Sequence, residues 1–304
     1  MLEAMDRNIG RLIDHLKVSG KYENTIFVIA SDNGPEPSRG DDNRALSMWH
    51  RVVGYHVGLE GLGGSRSWGF IGPEWAAATA TPGAWFKFYA TEGGVRVPLV
   101  IAGPNLNATR IDAPAMMTDI APTLLEWIGA PIDDSGEGTR PITGRSLLPV
   151  LTGKATDTYG KDEVRVIEVS GNTAVYKGNF KITRSVLPLG DGRWRLFNLA
   201  NDPGETTDLS KERPQLLTEM VADYDAYAKR MGVLPMPEGY DSVAQTAANN
   251  IKQMRQNYPW LYGVMAGVAL LAGLILWGLI RGVRRLFRRT AARNETVPTF
   301  GHVQ

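Results

Sequence analysis

Asp32 and Asn33 stand side by side after the apolar run Asn24–Ala30 and just ahead of Gly34. A carboxylate and an amide carbonyl are hard oxygen donors suited to Ca²⁺ or Mg²⁺. Because Ca²⁺ takes about six to eight oxygens, two donors make only part of a coordination sphere. The plainer reading of Asn33-Gly34 is a turn, which Asn-Gly steps commonly mark. Lys87 is the second residue of chemical interest, flanked by aromatics in Trp85–Tyr89 and followed by Glu92-Gly93-Gly94. Its ammonium suits an anionic substrate as a compact point charge. The competing reading is a lysine whose stem lies on a half-buried strand while its head reaches water. Of the histidines, His15 on the N-terminal helix and His302 in the tail have no partner at metal-ligand spacing. His50 and His56 fall in a glycine-rich stretch and are expected to be solvated. The chain has no cysteine, which excludes disulfides, thiolate metal sites and cysteine nucleophiles. It has no Gly-x-Ser-x-Gly elbow either.

These residues need elements to hold them. With 304 residues, 43% hydrophobic and 21% charged, the chain is long and apolar enough for one large or two smaller folded domains, and disorder is excluded. Leu2, Met5, Ile9, Leu12, Ile13 and Leu16 repeat at helical spacing, with Gly20 as the stop. Asn24–Ala30 and Val95–Ala102 read as continuous apolar strands buried in a parallel sheet. At the carboxyl end of such a strand, Asp32 and Asn33 occupy the place where open α/β sheets bind ligands. Residues 35–86 read as loop-rich. Thr118–Ile128 reads as a helix capped by Thr118 or Asp119, with Pro122 in its first turn and Gly129 ending it. Alternation of strands and helices gives an α/β architecture over residues 1–155. From 156 to 232 the pattern becomes short strands (Val164–Val169, Ala174–Tyr176, Phe180–Thr183, Arg193–Phe197) joined by tight turns, then a helix from Pro214 to Met231. Residues 233–259, polar and proline-bearing, read as a linker.

Trp260–Ile280 is an uncharged apolar run of the length that spans a bilayer, with Trp260, Tyr262 and Trp277 near its ends. Arg281, Arg284, Arg285, Arg288 and Arg289 follow, within a basic tail over 281–304. The positive-inside rule places that tail in the cytoplasm and everything before Trp260 in the periplasm or outside the cell. The tail, rich in arginine and poor in aromatics, suits anionic lipid headgroups better than nucleic acid. Gly263 and Gly267 form a GxxxG pair, a possible homodimer face in the membrane. An exported domain needs an N-terminal leader, yet Met1 opens an amphipathic helix. The expectation is that the protein's natural beginning lies upstream of Met1.

The run Thr25–Gly34 resembles the C-terminal half of a sulfatase, and further blocks resemble the same family in order. Glu92–Pro98 is similar to its EGG-x-R-x-P segment and Thr118–Leu125 to a helix near its sheet. Gly144–Leu147 and Leu196–Glu205 resemble its C-terminal subdomain, and Trp68–Ala76 leading to Lys87 the bacterial arylsulfatase branch. The resemblance implies an alkaline-phosphatase-like α/β sulfatase sheet, a small C-terminal antiparallel subdomain and, in this chain, one transmembrane helix after it. It also implies that Asp32 and Asn33 are two ligands of a catalytic Ca²⁺, that Lys87 contacts the sulfate group of a sulfate ester, and that the remaining ligands come from a preceding half. The physics suits these roles, since sulfate monoester cleavage needs positive charge where negative charge accumulates. The sequence departs from the family: it contains no C/S-x-P-x-R segment, the source of the formylglycine nucleophile. Pro35–Arg39 matches only that segment's end. A C-terminal membrane anchor is not a general family feature, and the family's paired aspartates and leaving-group histidine normally lie upstream as well. The chain alone is therefore expected to be inactive. The alternatives are a phosphonate monoester or phosphodiester hydrolase of the same superfamily, and a non-catalytic membrane-anchored module.

Overall fold

The computed structural model describes residues 2–39, 44–56, 58–67, 69–132, 141–169 and 171–294. Trp68 and His302 lie outside them, as do residues 295–304 of the basic tail. The described residues fall into two units, one ending at Tyr240 and one beginning at Asp241.

The first unit opens with helix α1 (Leu2–Val18), closed by Gly20 in the left-handed region. Strand β1 (Phe27–Ala30) pairs with β2 (Leu99–Ala102) in a two-stranded sheet. The pairing is antiparallel, from Phe27 opposite Ala102 to Ala30 opposite Leu99, and not parallel as the apolar runs suggest. Such a run reports burial but not direction. Burial too is incomplete, since Ile29 and Val100 are exposed. The direction matters for the site, because it sets the residues after β1 beside those before β2. Between the strands run α2 (Arg44–Val52), α3 (Gly72–Ala80) and the single turn α4 (Glu92–Val95). The stretch expected to be loop-rich thus holds two helices. His50, expected in solvent, is buried on α2, with its ring 6.0 Å from Tyr55 in an edge-on contact. The second strand begins at Leu99, four residues later than its apolar run, because Glu92–Val95 closes a helical turn and Pro98 cannot donate to a ladder.

Helix α5 (Ile120–Trp127) follows a 3₁₀ turn at Met117–Asp119 and ends before Gly129 in the left-handed region. The Asp119 carboxylate, expected among the caps, serves a longer-range purpose. Fully buried, it accepts hydrogen bonds from Met116 N at 2.7 Å, Arg145 N at 2.8 Å and the Tyr159 hydroxyl at 2.6 Å. Thr123 Oγ1 in turn accepts Leu147 N at 2.8 Å. The helix thereby fixes the Gly144–Leu147 segment leading into α6 (Leu148–Leu151).

Strands β3 (Arg165–Val169), β4 (Asn172–Lys177), β5 (Phe180–Arg184) and β6 (Trp194–Asn198) form an antiparallel meander in chain order. Val166, Val175, Ile182 and Leu196 are successive register partners and form one row across it. Helix α7 (Pro214–Met231) covers that row with the buried Met220 and Tyr224. Lys177 Nζ ties the sheet to the helix through Glu219 at 2.6 Å and Asp223 at 2.9 Å. Gly232, left-handed, terminates α7.

In the second unit, the span read as linker contains helix α8 (Ser242–Asn257), and α9 runs from Trp260 to Asn294. Tyr262–Arg285 is long and apolar enough to cross a membrane by length and composition. The helix continues past the apolar run because arginine, alanine and leucine are good helix formers.

Candidate active site

The turn that carries Asp32 and Asn33 begins one residue after β1 and is built by local hydrogen bonds. Ser31 Oγ donates to the Asn33 carbonyl at 2.9 Å, and Asn33 Nδ2 donates to the Gly34 carbonyl at 2.8 Å. With its amide nitrogen committed to the backbone, Asn33 is left with Oδ1 as a free oxygen acceptor. Asp32 is exposed, and its carboxylate makes no hydrogen bond or ion pair among the described residues. The site's donor set is thus a carboxylate and an amide oxygen, both unspent and adjacent on a fixed turn. That fits two positions of a hard-cation sphere. Among the described residues no group of three His, Cys, Asp or Glu side chains is placed to hold a metal, so these two oxygens cannot complete a site by themselves.

The antiparallel register presses this turn onto the Glu92–Gly94 turn. Gly34, buried, donates its backbone N–H to the Gly94 carbonyl at 2.9 Å. A side chain at Gly34 would overlap the Gly93 carbonyl, and one at Gly93 would overlap the carbonyls of Ala84 and Trp85. Glycine is required at both places for close approach rather than for backbone freedom.

Lys87 lies on an irregular turn, not on a strand. Its two neighbours in that turn, Trp85 (φ 59°) and Phe88 (φ 84°), adopt left-handed backbone, which costs about 1–3 kcal/mol each and needs support from surroundings. The support is visible. Gly93 N donates to the Ala84 carbonyl at 2.9 Å, Tyr89 N to the Phe86 carbonyl at 3.2 Å, and the buried Asn172 Nδ2 to the Phe88 carbonyl at 3.0 Å. The rings of Trp85 and Tyr89 stack at 5.1 Å. Lys87 N donates to the Pro35 carbonyl at 3.1 Å, and Lys87 Nζ donates to Glu36 Oε2 at 2.6 Å. The three residues singled out from the sequence therefore sit on two turns that are tied together. Partial burial pushes the Glu36 carboxyl up, but hydrogen bonds from Lys87 and Ser38 outweigh it and hold the group below its ordinary value.

Behind these turns lies a charged cluster that the sequence did not reveal. Lys181, with no exposed side-chain surface, places Nζ 2.8 Å from Glu92 Oε1 and 2.9 Å from Glu205 Oε1. The Tyr176 hydroxyl donates to Glu92 Oε1 at 2.7 Å, and Glu92 N donates to Glu205 Oε2 at 2.7 Å. Tyr176 and Lys181 are register partners on the sheet face opposite the α7 row, by the two-residue period of a strand. Burial raises Glu92, but the charge and hydrogen bond of Lys181 hold it below its ordinary value; burial dominates at Glu205 and holds it above. Glu92 belongs to the EGG block and Glu205 to the Asn-Asp-Pro-Gly-Glu block, separated by more than a hundred residues, and no spacing rule connects them.

The model of the sulfatase family matches residues 1–130. An uncharacterized sulfatase of Schizosaccharomyces pombe is 32% identical over 250 residues, covering 79% of this chain and 44% of the relative. The arylsulfatase of Klebsiella aerogenes is 31% identical over 155 residues, covering 50% of this chain and 32% of the relative. The chain thus spans less than half the length of these curated relatives. The solved structure of Ps i-CgsB in complex with k-i-k-neocarrahexaose shares the fold with a TM-score of 0.52, at 24% identity over 75% of this chain and 42% of that one. The glycine-locked turns carrying Asp32, Asn33 and Lys87 lie within the matched residues, and by this match the chain belongs to the sulfatase family, as an arylsulfatase-like portion of it.

Proposed function

We propose that these two turns form part of the active site of an arylsulfatase-like sulfate ester hydrolase. Asp32 and Asn33 are two oxygen ligands of a Ca²⁺ ion, and Lys87 is the catalytic cation that contacts the sulfate. The observation that carries this reading is the tie between the turns, in which Lys87 N reaches the Pro35 carbonyl and Lys87 Nζ reaches Glu36. It holds a lysine ammonium on the very loop that presents the unspent carboxylate and amide oxygen. Bound Ca²⁺ would supply positive charge where sulfuryl oxygens gain negative charge. Asp32 contributes the anionic donor and Asn33 the neutral one, with Nδ2 turned back to the Gly34 carbonyl. Lys87 has three N–H donors; Glu36 takes one, leaving two for a sulfate group. The Gly34–Gly94 contact keeps these groups in place without motion during reaction, as electrostatic stabilisation of a transition state requires.

The 304 residues contain neither a cysteine nor a serine in C/S-x-P-x-R register, so they hold no source of the family's nucleophile. The chain by itself is expected not to turn over an aryl sulfate in the presence of Ca²⁺, and sustained turnover would contradict this. In an assembly that does hydrolyse sulfate esters, Asp32→Ala abolishes the metal-dependent activity, and retained activity would reject the ligand role.

The apolar part of α9 serves, in this reading, as a membrane anchor. Arg281, Arg284 and Arg285 would lie on the cytoplasmic side against anionic headgroups, with the site on the periplasmic or outer side, and Gly263 and Gly267 would offer a homodimer face. Protease digestion of sealed membrane vesicles tests the orientation, since residues before Trp260 should be cut only from the outer side.

A further inference from the structure

Glu36 lies three residues beyond Asn33, and its two carboxylate oxygens are divided between separate partners. Oε1 accepts Ser38 Oγ at 2.6 Å and Ser38 N at 3.2 Å, which fixes the carboxylate to its own turn. Oε2 accepts the Lys87 ammonium at 2.6 Å. The Lys87 Nζ also stands 5.5 Å from the centre of the Phe88 ring. The lysine side chain is 34% exposed, and a lysine so placed ordinarily samples many rotamers at an entropic cost to any single geometry. A carboxylate beside the ammonium partly neutralises it, so the pair does not serve raw attraction for an anion. What it does serve is direction. One N–H held by an anchored oxygen restricts where the other two donors point, and the backbone bond from Lys87 N to the Pro35 carbonyl fixes the base of the same side chain.

We propose that Glu36 is a positioning residue, which holds the Lys87 ammonium at the end of the Asp32–Asn33 turn with two N–H donors left for an incoming anion. This rests on the reading of Lys87 as the sulfate-contacting cation. The depressed titration of Glu36 agrees with a carboxylate kept ionised by its donors.

The test is amine acetylation of the 304-residue chain at neutral pH, with the rate at Lys87 read by mass spectrometry against the exposed Lys229 as internal reference, with and without inorganic sulfate. Glu36→Gln raises the Lys87 rate by about two- to fivefold, the scale of a partly exposed ion pair, and Glu36→Asp recovers part of the protection. Sulfate slows acetylation of Lys87 in the unmodified chain and slows it less in Glu36→Gln. A purely structural role for Glu36 would move Lys229 as well or would not respond to aspartate. Equal Lys87 rates in the unmodified chain and Glu36→Gln would overturn the positioning role. Rates that respond to Glu36→Gln but not to sulfate would uphold the positioning role and overturn the sulfate contact instead.

Discussion

Gly34 donates its backbone N–H to the Gly94 carbonyl at 2.9 Å, with the Gly93 carbonyl so near that no side chain fits between the two turns. Gly34→Ala must therefore push backbone against backbone, which has no flexible end to yield. The expected loss is about 1–3 kcal/mol of stability, measured by urea unfolding. Gly10→Ala is the matched control. It sits in α1 with open space around it, and there alanine should stabilise by roughly 0.5–1 kcal/mol through helix propensity. Equal effects at the two positions would refute the close-approach argument.

Lys181 pairs with both Glu92 and Glu205, whereas the exposed Arg96 reaches only Glu92, with Nη1 3.8 Å from Oε2. Lys181→Met keeps the apolar stem but leaves Glu205 buried without an ion-pair partner and Glu92 with the more distant Arg96 alone, at a cost of about 3–5 kcal/mol. The readout is again the urea midpoint. A loss below that of an ordinary surface substitution would mean that water reaches the cluster.

Acid should unfold the first unit through its carboxylates. At Glu92 and Asp208, burial raises the group but is outweighed by Lys181 in one case and by the backbone N–H groups of Leu196 and Ser210 in the other. Asp202 is held low in the same way by Thr207 and Thr206. Each titrates lower folded than unfolded, so its stabilisation is complete above the unfolded carboxylate range of about 4 and is lost as pH falls through the folded value. Glu205, held above its ordinary value, works in the opposite sense and partly offsets them. The thermal midpoint should be nearly level from pH 7 to about 5 and fall below about 4. A midpoint that stays level to pH 3 would contradict the assignments.

Asp119 offers both oxygens to three donors, and an amide in its place turns one acceptor into a donor facing an N–H or hydroxyl. Asp119→Asn should cost about 1–3 kcal/mol, because a buried polar group loses its partner. Tyr159→Phe removes a single donor and should cost less. Thermal unfolding of both variants gives the order, and a larger effect at Tyr159 would reverse the account of what anchors the Gly144–Leu147 segment.

Much of this was legible from local pattern. The meander strands emerge close to their apolar alternation, and α7 from Pro214 to its glycine stop, because two-residue and helical periods are written in consecutive residues. The pairing direction of β1 and β2 was not legible, since the same apolar run serves either direction and the connection of about seventy residues between them carries the information. Asp32, Asn33 and Lys87 stood out by residue type and resemblance, yet the tie through Glu36 did not: a glutamate in a proline-rich turn reads as solvent-exposed. The Lys181 cluster was hidden for a related reason. Its members come from four separated segments, and the lysine sits in a strand where alternation would equally place it in water.

Whether Asp32 and Asn33 hold a divalent cation is read out by titrating Ca²⁺ into the isotopically labelled chain and following backbone amides by NMR, with Asp32→Ala alongside. A cation on this turn gives saturable shifts centred on residues 31–34 that disappear in Asp32→Ala, with weak affinity, since two ligands are a minority of the about six to eight that Ca²⁺ takes. Shifts that are absent from that turn, or that persist unchanged in Asp32→Ala, would contradict it.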